Sequence, residues 1–515
     1  MESPLYNVGG WLARRAQIAG DRLAVVDADR SLSYLALDER TARCAAALAD
    51  AGLGRGDRVA LLLGNRSPYL EVVFAAARLG AIVVPVNARF TAPEIRRVFE
   101  DCTPHLLIHD ASLADIAGAA CSRLPSPPTR LACGGEPDAY EQSLARCEPL
   151  ARIAPVAPDH PMILMYTSGT TGTPKGALLP HRKTLFNSLN AQLFFDLTRD
   201  DRVLVALPLF HSFGLNILSI PTLYAGGTVF LERRFDPAAV WSAVDERGIT
   251  FFGGVPTQFR ALLDVLECAP AGRYELGSLR FLFTAGAAVP VETVRGFQAH
   301  GLVLKQGFGQ TETSILCCLD ARDAVRKAGS VGRPVFHADL RVVTQDSFEQ
   351  APERWRDISV GETGEIVVRG PITMLGYWND PESTAETLRG DWLRTGDLAT
   401  VDDEGFLTLV GRARQMYISG GENVYPAEVE AAFAEHPAIR EIAVVGVPDP
   451  KWGEVGRAYI VLSPGQHLDA EALRAWGSER LAGFKLPADF VVLPALPRTE
   501  SGKVQKHRLA GADAG

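Results

Sequence analysis

Residues 166–176 read YTSGTTGTPKG, and this stretch crowds together five hydroxyl side chains (Thr167, Ser168, Thr170, Thr171, Thr173), three glycines (Gly169, Gly172, Gly176) and Lys175. Hydroxyls, a freely turning backbone and a cation suit a loop that wraps phosphate oxygens with O–H and N–H donors. The apolar run PMILM precedes it directly, so the loop leaves the end of a strand. It departs from the common nucleotide loop G-x-x-x-x-G-K-[ST], in which glycine precedes the lysine and Ser or Thr follows; here Pro174 and Gly176 flank Lys175. A surface turn without function would rarely need so many hydroxyls and a lysine.

Such a loop needs a rigid scaffold. From residue 21 to 110, short apolar runs (RVALLLG, AIVVPVN, HLLIHD) alternate with segments of helical period (LDERTARCAAALADAG, PYLEVVFAAARLG). That alternation marks βαβ units and a mostly parallel sheet, so the fold class is α/β. VLVALPLF, GTVFL, ITFFGGV and LRFLFTAG are further strand candidates, whereas residues 121–160, proline-rich and without periodicity, are expected to form a surface connection. Near residue 412 the sequence turns strand-rich and then compact α+β. This predicts a large N-terminal domain over residues 1–413 and a small C-terminal one over 414–515.

Composition excludes several classes. The chain has 515 residues, 47% hydrophobic and 22% charged, ordinary for a globular protein. Its 52 Lys and Arg against 61 Asp and Glu give a formal charge of -9, without the basic excess that nucleic acid binding requires. Eight cysteines without a C-x-x-C pair indicate neither a zinc ribbon nor a disulfide framework and fit a reducing cytoplasm. The N-terminus lacks the apolar core of a signal peptide and is expected to form a capping helix. The apolar stretch 203–231 is interrupted by Pro208, His211, Asn216 and Pro221, so buried strand, loop and helix are expected there rather than a membrane span.

The loop resembles the phosphate loop of the adenylate-forming superfamily, which includes the acyl-CoA synthetases, and its other motifs follow in order. PLFHSFGLN stands at 208–216, TAGAAVP at 284–290, QGFGQTET at 306–313, GEIVVRGP at 364–371, RTGDL at 394–398, GRARQMYISGGENVYPAEVE at 411–430 and PRTESGKVQK at 497–506. The resemblance spans residues 8–509 and implies a ligase that uses ATP and Mg²⁺ to join a carboxylic acid to coenzyme A through an acyl-adenylate. It also allows a stand-alone adenylating enzyme that passes the acyl group to a carrier protein or an amine. A monomer or a homodimer is compatible with it.

Residue by residue, the resemblance implies Mg²⁺ binding by Glu312, an α-phosphate contact from Thr311, and phosphate binding by Thr167, Ser168, Gly169, Thr170, Thr171 and Lys175. Adenine falls to Gly286, Ala287 and Ala288 together with Phe308, where most relatives carry tyrosine, and Gly309 and Gln310 extend that nucleotide site. Asp397 would accept both ribose hydroxyls, with Arg412 beside it. Lys503 would bridge the substrate carboxylate and the α-phosphate, and a hinge is expected at Arg414, where relatives carry aspartate or lysine. Gly421 and Trp452 are expected near coenzyme A. His211 would lie beside the acyl carboxylate, with Phe213, Gly214, Ile217, Phe252 and Val255 around the acyl group.

These apolar flanks favour a hydrophobic acid, a medium- or long-chain fatty acid or an aromatic one. No aspartate lies between Leu207 and Leu231, where amino-acid-activating relatives place one, and no arginine precedes Arg233 there, which disfavours diacids. Gly309 stands where acetate-specific relatives have tryptophan. Together with Gly253, Gly254 and Gly307 it would permit a deep slot, or else serve strands and turns.

Overall fold

The computed structural model describes residues 1–167, 174–270, 272–286, 289–419, 422–467, 469–499, 502 and 504–510. Strands of four sheets lie among them. The first is ordered Gly376–Tyr377, Lys175–Pro180, Pro161–Thr167, Ile82–Pro85, Arg58–Leu62, Leu106–Asp110, Thr129–Cys133. Its strands from Pro161–Thr167 to Thr129–Cys133 are parallel, and Lys175–Pro180 returns antiparallel on Pro161–Thr167. Val59, Ala60, Leu61 and Leu62 are all buried, the continuous apolar run that a parallel strand covered on both faces requires.

The second sheet sets Leu304–Gln310, Phe281–Thr284, Phe251–Gly254, Arg202–Val205 and Thr228–Leu231 side by side and parallel. Side chains alternate across it. Phe251, Phe281 and Phe283 meet Phe195 of the helix His181–Phe195. Phe252, Leu282 and Leu304 face the other way, into a core shared with the helices Pro237–Arg247, Pro256–Cys268 and Val291–Ala299. The carboxyl ends of these strands, at Gly254, Thr284 and Gln310, therefore open side by side, where α/β sheets place their ligands.

An antiparallel sheet follows, Asp339–Val343, Gly364–Arg369, Trp392–Val401 and Leu388–Arg389, with Leu407–Arg412 also on Trp392–Val401. After the 3-10 turn Ala413–Gln415 the chain enters the last sheet, Glu422–Val424, Tyr417–Ser419, Gly453–Leu462 and Ile439–Asp449, joined by Asp489–Val492. Tyr417, Val424, Val429, Phe433, Val444, Ile460 and Leu473 give this C-terminal part a core of its own. The fold is thus α/β, with a large N-terminal domain and a smaller α+β C-terminal one.

Residues 121–160 are not the plain connection expected from the sequence. They hold the strand Thr129–Cys133 and the helix Ala139–Arg146. The strand is at the sheet's edge and buries only Cys133, so it shows no alternation, and the helix is too short to display a period beyond Tyr140 and Leu144. The stretch 203–231 forms a strand, a buried π-helix, a short α-helix and a strand, as expected. No described helix is long and apolar enough to cross a membrane.

Candidate active site

The phosphate-type loop bridges the hairpin of Pro161–Thr167 and Lys175–Pro180, whose pairing sets Thr167 opposite Lys175. Ser168, Gly169, Thr170 and Thr171 lie outside the described residues. Gly176 has a steric reason: a Cβ there would stand 2.8 Å from Leu164 Cδ1. Lys175 Nζ donates to Ser383 Oγ at 2.5 Å and lies 5.4 Å from the centre of the Tyr377 ring. Tyr377, paired with Ala177 on the sheet edge, donates from its phenol to Glu312 Oε1 at 3.0 Å. Burial and the Glu312 carboxylate push that phenol above its ordinary range, so it stays a neutral donor. A cation and a carboxylate thus meet around one tyrosine, an arrangement that can hold phosphate oxygens and a hard metal ion together.

Glu312 sits with Thr311 in the turn between Leu304–Gln310 and Ser314–Cys318, pinned where Met374 N donates to Glu312 O at 2.8 Å. Ser314 is in the left-handed region at φ 63° and accepts from Lys183 Nζ. Burial pushes the Lys183 ammonium down to about 7 against the pull of Glu312. Tyr377, Ser383 and Lys183 are the participants sequence reasoning missed; for Tyr377 the only signal is a G-Y-W-N turn after GEIVVRGP.

The residues expected at the nucleoside lie at or beside the strand ends. Phe308 and Gly309 lie on Leu304–Gln310, and Gly286, at φ 89°, follows Phe281–Thr284, while Ala287 and Ala288 lie outside the described residues. Strand pairing sets Asp397 opposite Arg412, whose Nε is 2.9 Å from Asp397 Oδ1. Gln310 Nε2 donates to Asp397 Oδ2 and, at 2.8 Å, to Thr395 O. Gln310 therefore orients the carboxylate, a role the sequence did not reveal.

In the small domain, Lys503 and Gly421 lie outside the described residues. Gly502, one residue before Lys503, is at φ 81°, and a Cβ there would be 3.5 Å from Val255 Cγ2 and 3.6 Å from Thr257 Oγ1. Arg498 holds this turn by donating to Gly502 O at 2.6 Å and pairing with Glu441. Val255 also faces Gly286, 3.9 Å from a Cβ built there. Trp452 lies elsewhere, 50% exposed on the turn between Ile439–Asp449 and Gly453–Leu462. Arg414 falls in the turn Ala413–Gln415, with its side chain outside the described set.

His211, whose Nδ1 accepts from Phe213 N at 3.4 Å, precedes a π-helix over Phe213–Ser219. Such wider turns concentrate at functional sites. Gly214 is required in it, because a Cβ would stand 2.6 Å from Pro208 O. The Phe213 ring meets Phe283 edge-on at 5.6 Å, and Ile217 lies in the same helix. A Cβ on Gly253 would stand 2.7 Å from Leu218 Cδ2 and 3.3 Å from Phe213 Cε2, and one on Gly307 would stand 2.7 Å from Phe283 Cζ. Gly254 is backed by Gln258 and Phe252, and Gly309 by the Ser314 carbonyl. These glycines admit packed neighbours rather than opening a deep slot. Phe252 is not among the residues brought together here: strand alternation turns it to the opposite face, against Phe259 and Phe235.

Residues 12–378 match the family described as AMP-binding enzyme, and residues 428–503 match the AMP-binding enzyme C-terminal domain. The chain is 42% identical over 501 residues to a feruloyl-CoA synthase of Amycolatopsis sp, covering 97% of each. It is 40% identical to the indoleacetate–CoA ligase of Aromatoleum aromaticum, covering 96% of each. Its fold matches o-succinylbenzoate CoA synthetase of Bacillus subtilis in complex with the acyl-adenylate intermediate, with a TM-score of 0.85, 31% identity, and coverage of 99% of this chain and 98% of that one. The named relatives pass their acyl groups to coenzyme A, which leaves the carrier-protein and amine alternatives without support. By both family matches and by relatives of this identity over nearly its whole length, the chain belongs to the AMP-binding, adenylate-forming enzymes and is an ATP- and magnesium-dependent acyl-CoA ligase that activates a hydrophobic carboxylic acid as its adenylate.

Proposed function

We propose that the acid is compact and aromatic rather than a long-chain fatty acid. The observation that carries this reading is the filling beside Gly253 and Gly307: Leu218, Phe213 and Phe283 occupy the space that the missing side chains leave, so these glycines add no depth for an alkyl chain. A planar ring gains its binding energy in a short apolar slot, through burial and edge-to-face contact with phenylalanine. The aromatic acids in the names of the feruloyl and indoleacetate relatives support the same reading.

In this reading Thr167, Ser168, Gly169, Thr170, Thr171 and Lys175 hold the terminal phosphates. Glu312 fits a magnesium site, since its carboxylate is a hard oxygen donor already oriented by Tyr377. When bound, the ion supplies charge neutralisation for the departing pyrophosphate. Thr311 contacts the α-phosphate, Phe308, Gly286, Ala287 and Ala288 bracket the adenine, and Asp397, fixed by Gln310 and Arg412, accepts the ribose hydroxyls. His211 lies beside the acid carboxylate. Lys503 balances the charge shared by that carboxylate and the α-phosphate during attack; the packing of Gly502 on Val255 and Thr257 supports this placement. Residues 1–413 and 414–515 then act as two bodies hinged at Arg414, with Gly421 and Trp452 serving coenzyme A after the small domain turns. The eight free thiols accord with a reducing cytoplasm.

The test is pyrophosphate release with ATP and Mg²⁺ across acetate, octanoate, palmitate, benzoate, indoleacetate and ferulate, each with and without coenzyme A, with product masses recorded. Release confined to the ring-bearing acids, with their thioesters appearing when coenzyme A is added, is the expected result. A preference for palmitate would overturn the substrate assignment.

A further inference from the structure

The helix His181–Phe195 follows the phosphate hairpin directly and buries polar groups where a core helix ordinarily buries apolar ones. Lys183, Asn187 and Asn190, spaced four and three residues apart, share one face. Together they tie down the π-helix, the strand Ser314–Cys318 and the segment at His337. Asn187 Nδ2 donates to Asn216 O in the π-helix at 2.6 Å and its Oδ1 accepts from Ile315 N at 3.3 Å, while Asn190 Oδ1 accepts from His337 N at 3.0 Å. Lys183 Nζ donates to Ser314 Oγ.

Lys183 stands out within this row. Its side chain is 2% exposed, and among the described residues no carboxylate lies within ion-pair distance of it. A buried ammonium costs several kcal/mol unless its charge is answered, and an apolar side chain of the same length would pack there without that cost. Glu312 stands two residues before Ser314, in the turn that Lys183 ties down. Ser314 is itself in a conformation that L residues seldom adopt, at φ 63°, so the turn carrying Glu312 needs something to hold it. Lys183 supplies the hydrogen bond that ties that turn to the helix.

We propose that Lys183 is a positioning residue for Glu312, fixing its turn through Ser314 so that the carboxylate is presented to Mg·ATP in one place. The inference rests on the reading of Glu312 as the magnesium ligand. Partners that orient metal ligands are commonly worth about 10–100-fold in metal affinity or activity. Lys183→Met, which keeps the length and removes the charge, is therefore expected to raise the half-saturating Mg·ATP concentration about tenfold. The KM for the acid should stay within about twofold.

A merely structural role would not move these parameters apart, nor would it depend on Glu312. Pyrophosphate release is therefore measured for Lys183→Met, Glu312→Gln and the double variant, with melting temperatures alongside. The expected result is a Lys183→Met effect that nearly vanishes in the Glu312→Gln background. If Glu312→Gln leaves the Mg·ATP dependence unchanged, the metal-ligand reading fails. If Glu312→Gln shifts that dependence while Lys183→Met has no effect, or has the same effect in both backgrounds, the positioning role alone is overturned. Should Lys183→Met fail to fold, Ser314→Ala removes only the acceptor and carries the test: a shift of a few-fold in the same parameter supports the proposal, and an unchanged value overturns it.

Discussion

Tyr377→Phe isolates one atom of the proposed phosphate and metal region. The phenol donates to Glu312 Oε1 at 3.0 Å, while the ring lies 5.4 Å from Lys175 Nζ and the backbone pairs with Ala177. Phenylalanine keeps the ring and the pairing and leaves no cavity, so only the hydrogen bond is lost. A bond to a charged group is worth about 1.5–3 kcal/mol. Tyr377 and Glu312 are both half-buried, so water replaces part of what the phenol gave, and the low end, about 1.5 kcal/mol, applies. At about 1.36 kcal/mol per decade this is about a tenfold fall in kcat/KM for Mg·ATP. The assay is pyrophosphate release at saturating acid over a series of Mg·ATP concentrations. Tyr377→Leu should add a further few-fold loss, since the contact of the ring with Lys175 is worth about 0.5–1 kcal/mol. A Tyr377→Phe enzyme within twofold of the parent at limiting Mg·ATP, or one whose loss appears in the KM for the acid, would refute the reasoning.

Gly253→Ala places a methyl group 2.7 Å from Leu218 Cδ2, and such overpacking costs about 1–3 kcal/mol; the KM for the acid should rise about tenfold with little change for ATP, as initial rates will report. Gly502→Ala has ordinary space but a strained φ of 81°, so adenylation should slow about tenfold, while thioester formation from supplied acyl-adenylate should not change. His181 is buried, with Nδ1 accepting from Val8 N and Nε2 unpartnered, and its pKa is lowered to about 3 from 6.5 by burial and by His160. The unfolded chain therefore binds the extra proton first: the stability His181 contributes is whole above about pH 6.5 and falls by about 2 kcal/mol at pH 5, a loss that thermal melts should show reduced in His181→Asn.

Motif types and their order were legible in the sequence because chemistry constrains them: few other uses exist for a run such as TSGTTGTPK, and an α/β alternation of strands and helices writes itself as period. Facing directions were less legible. Phe252 and Gly253 are adjacent and equally suited to an apolar pocket, yet the pleat sends one toward Phe259 and the other toward Leu218, and the sequence does not say which face the acid uses. The glycines left two readings open for the same reason, since a missing side chain reads alike whether it opens a slot or makes room for Phe283. Tyr377 and Lys183 escaped because each belongs to the site only through strand pairing or helix packing with segments 65 and 131 residues away.

Val255 is the side chain at which the proposed movement of the small domain would be felt. Gly286 and Gly502, the residue before Lys503, both lie against this one side chain, so the C-terminal turn stands at the ends of the strands Phe251–Gly254 and Phe281–Thr284. Trp452 is meanwhile half exposed on another turn of the same domain. In the proposed cycle a thiol would reach the acyl carbon once the Gly502 turn had withdrawn, so the two half-reactions would take two placements of one domain. Arg412 is tied to Asp397, while the turn Ala413–Gln415 begins one residue later. In the proposed cycle, rotation at that turn would leave Asp397 and its partner in place, so that the adenylate would stay with the large domain while the other face of the small domain came round.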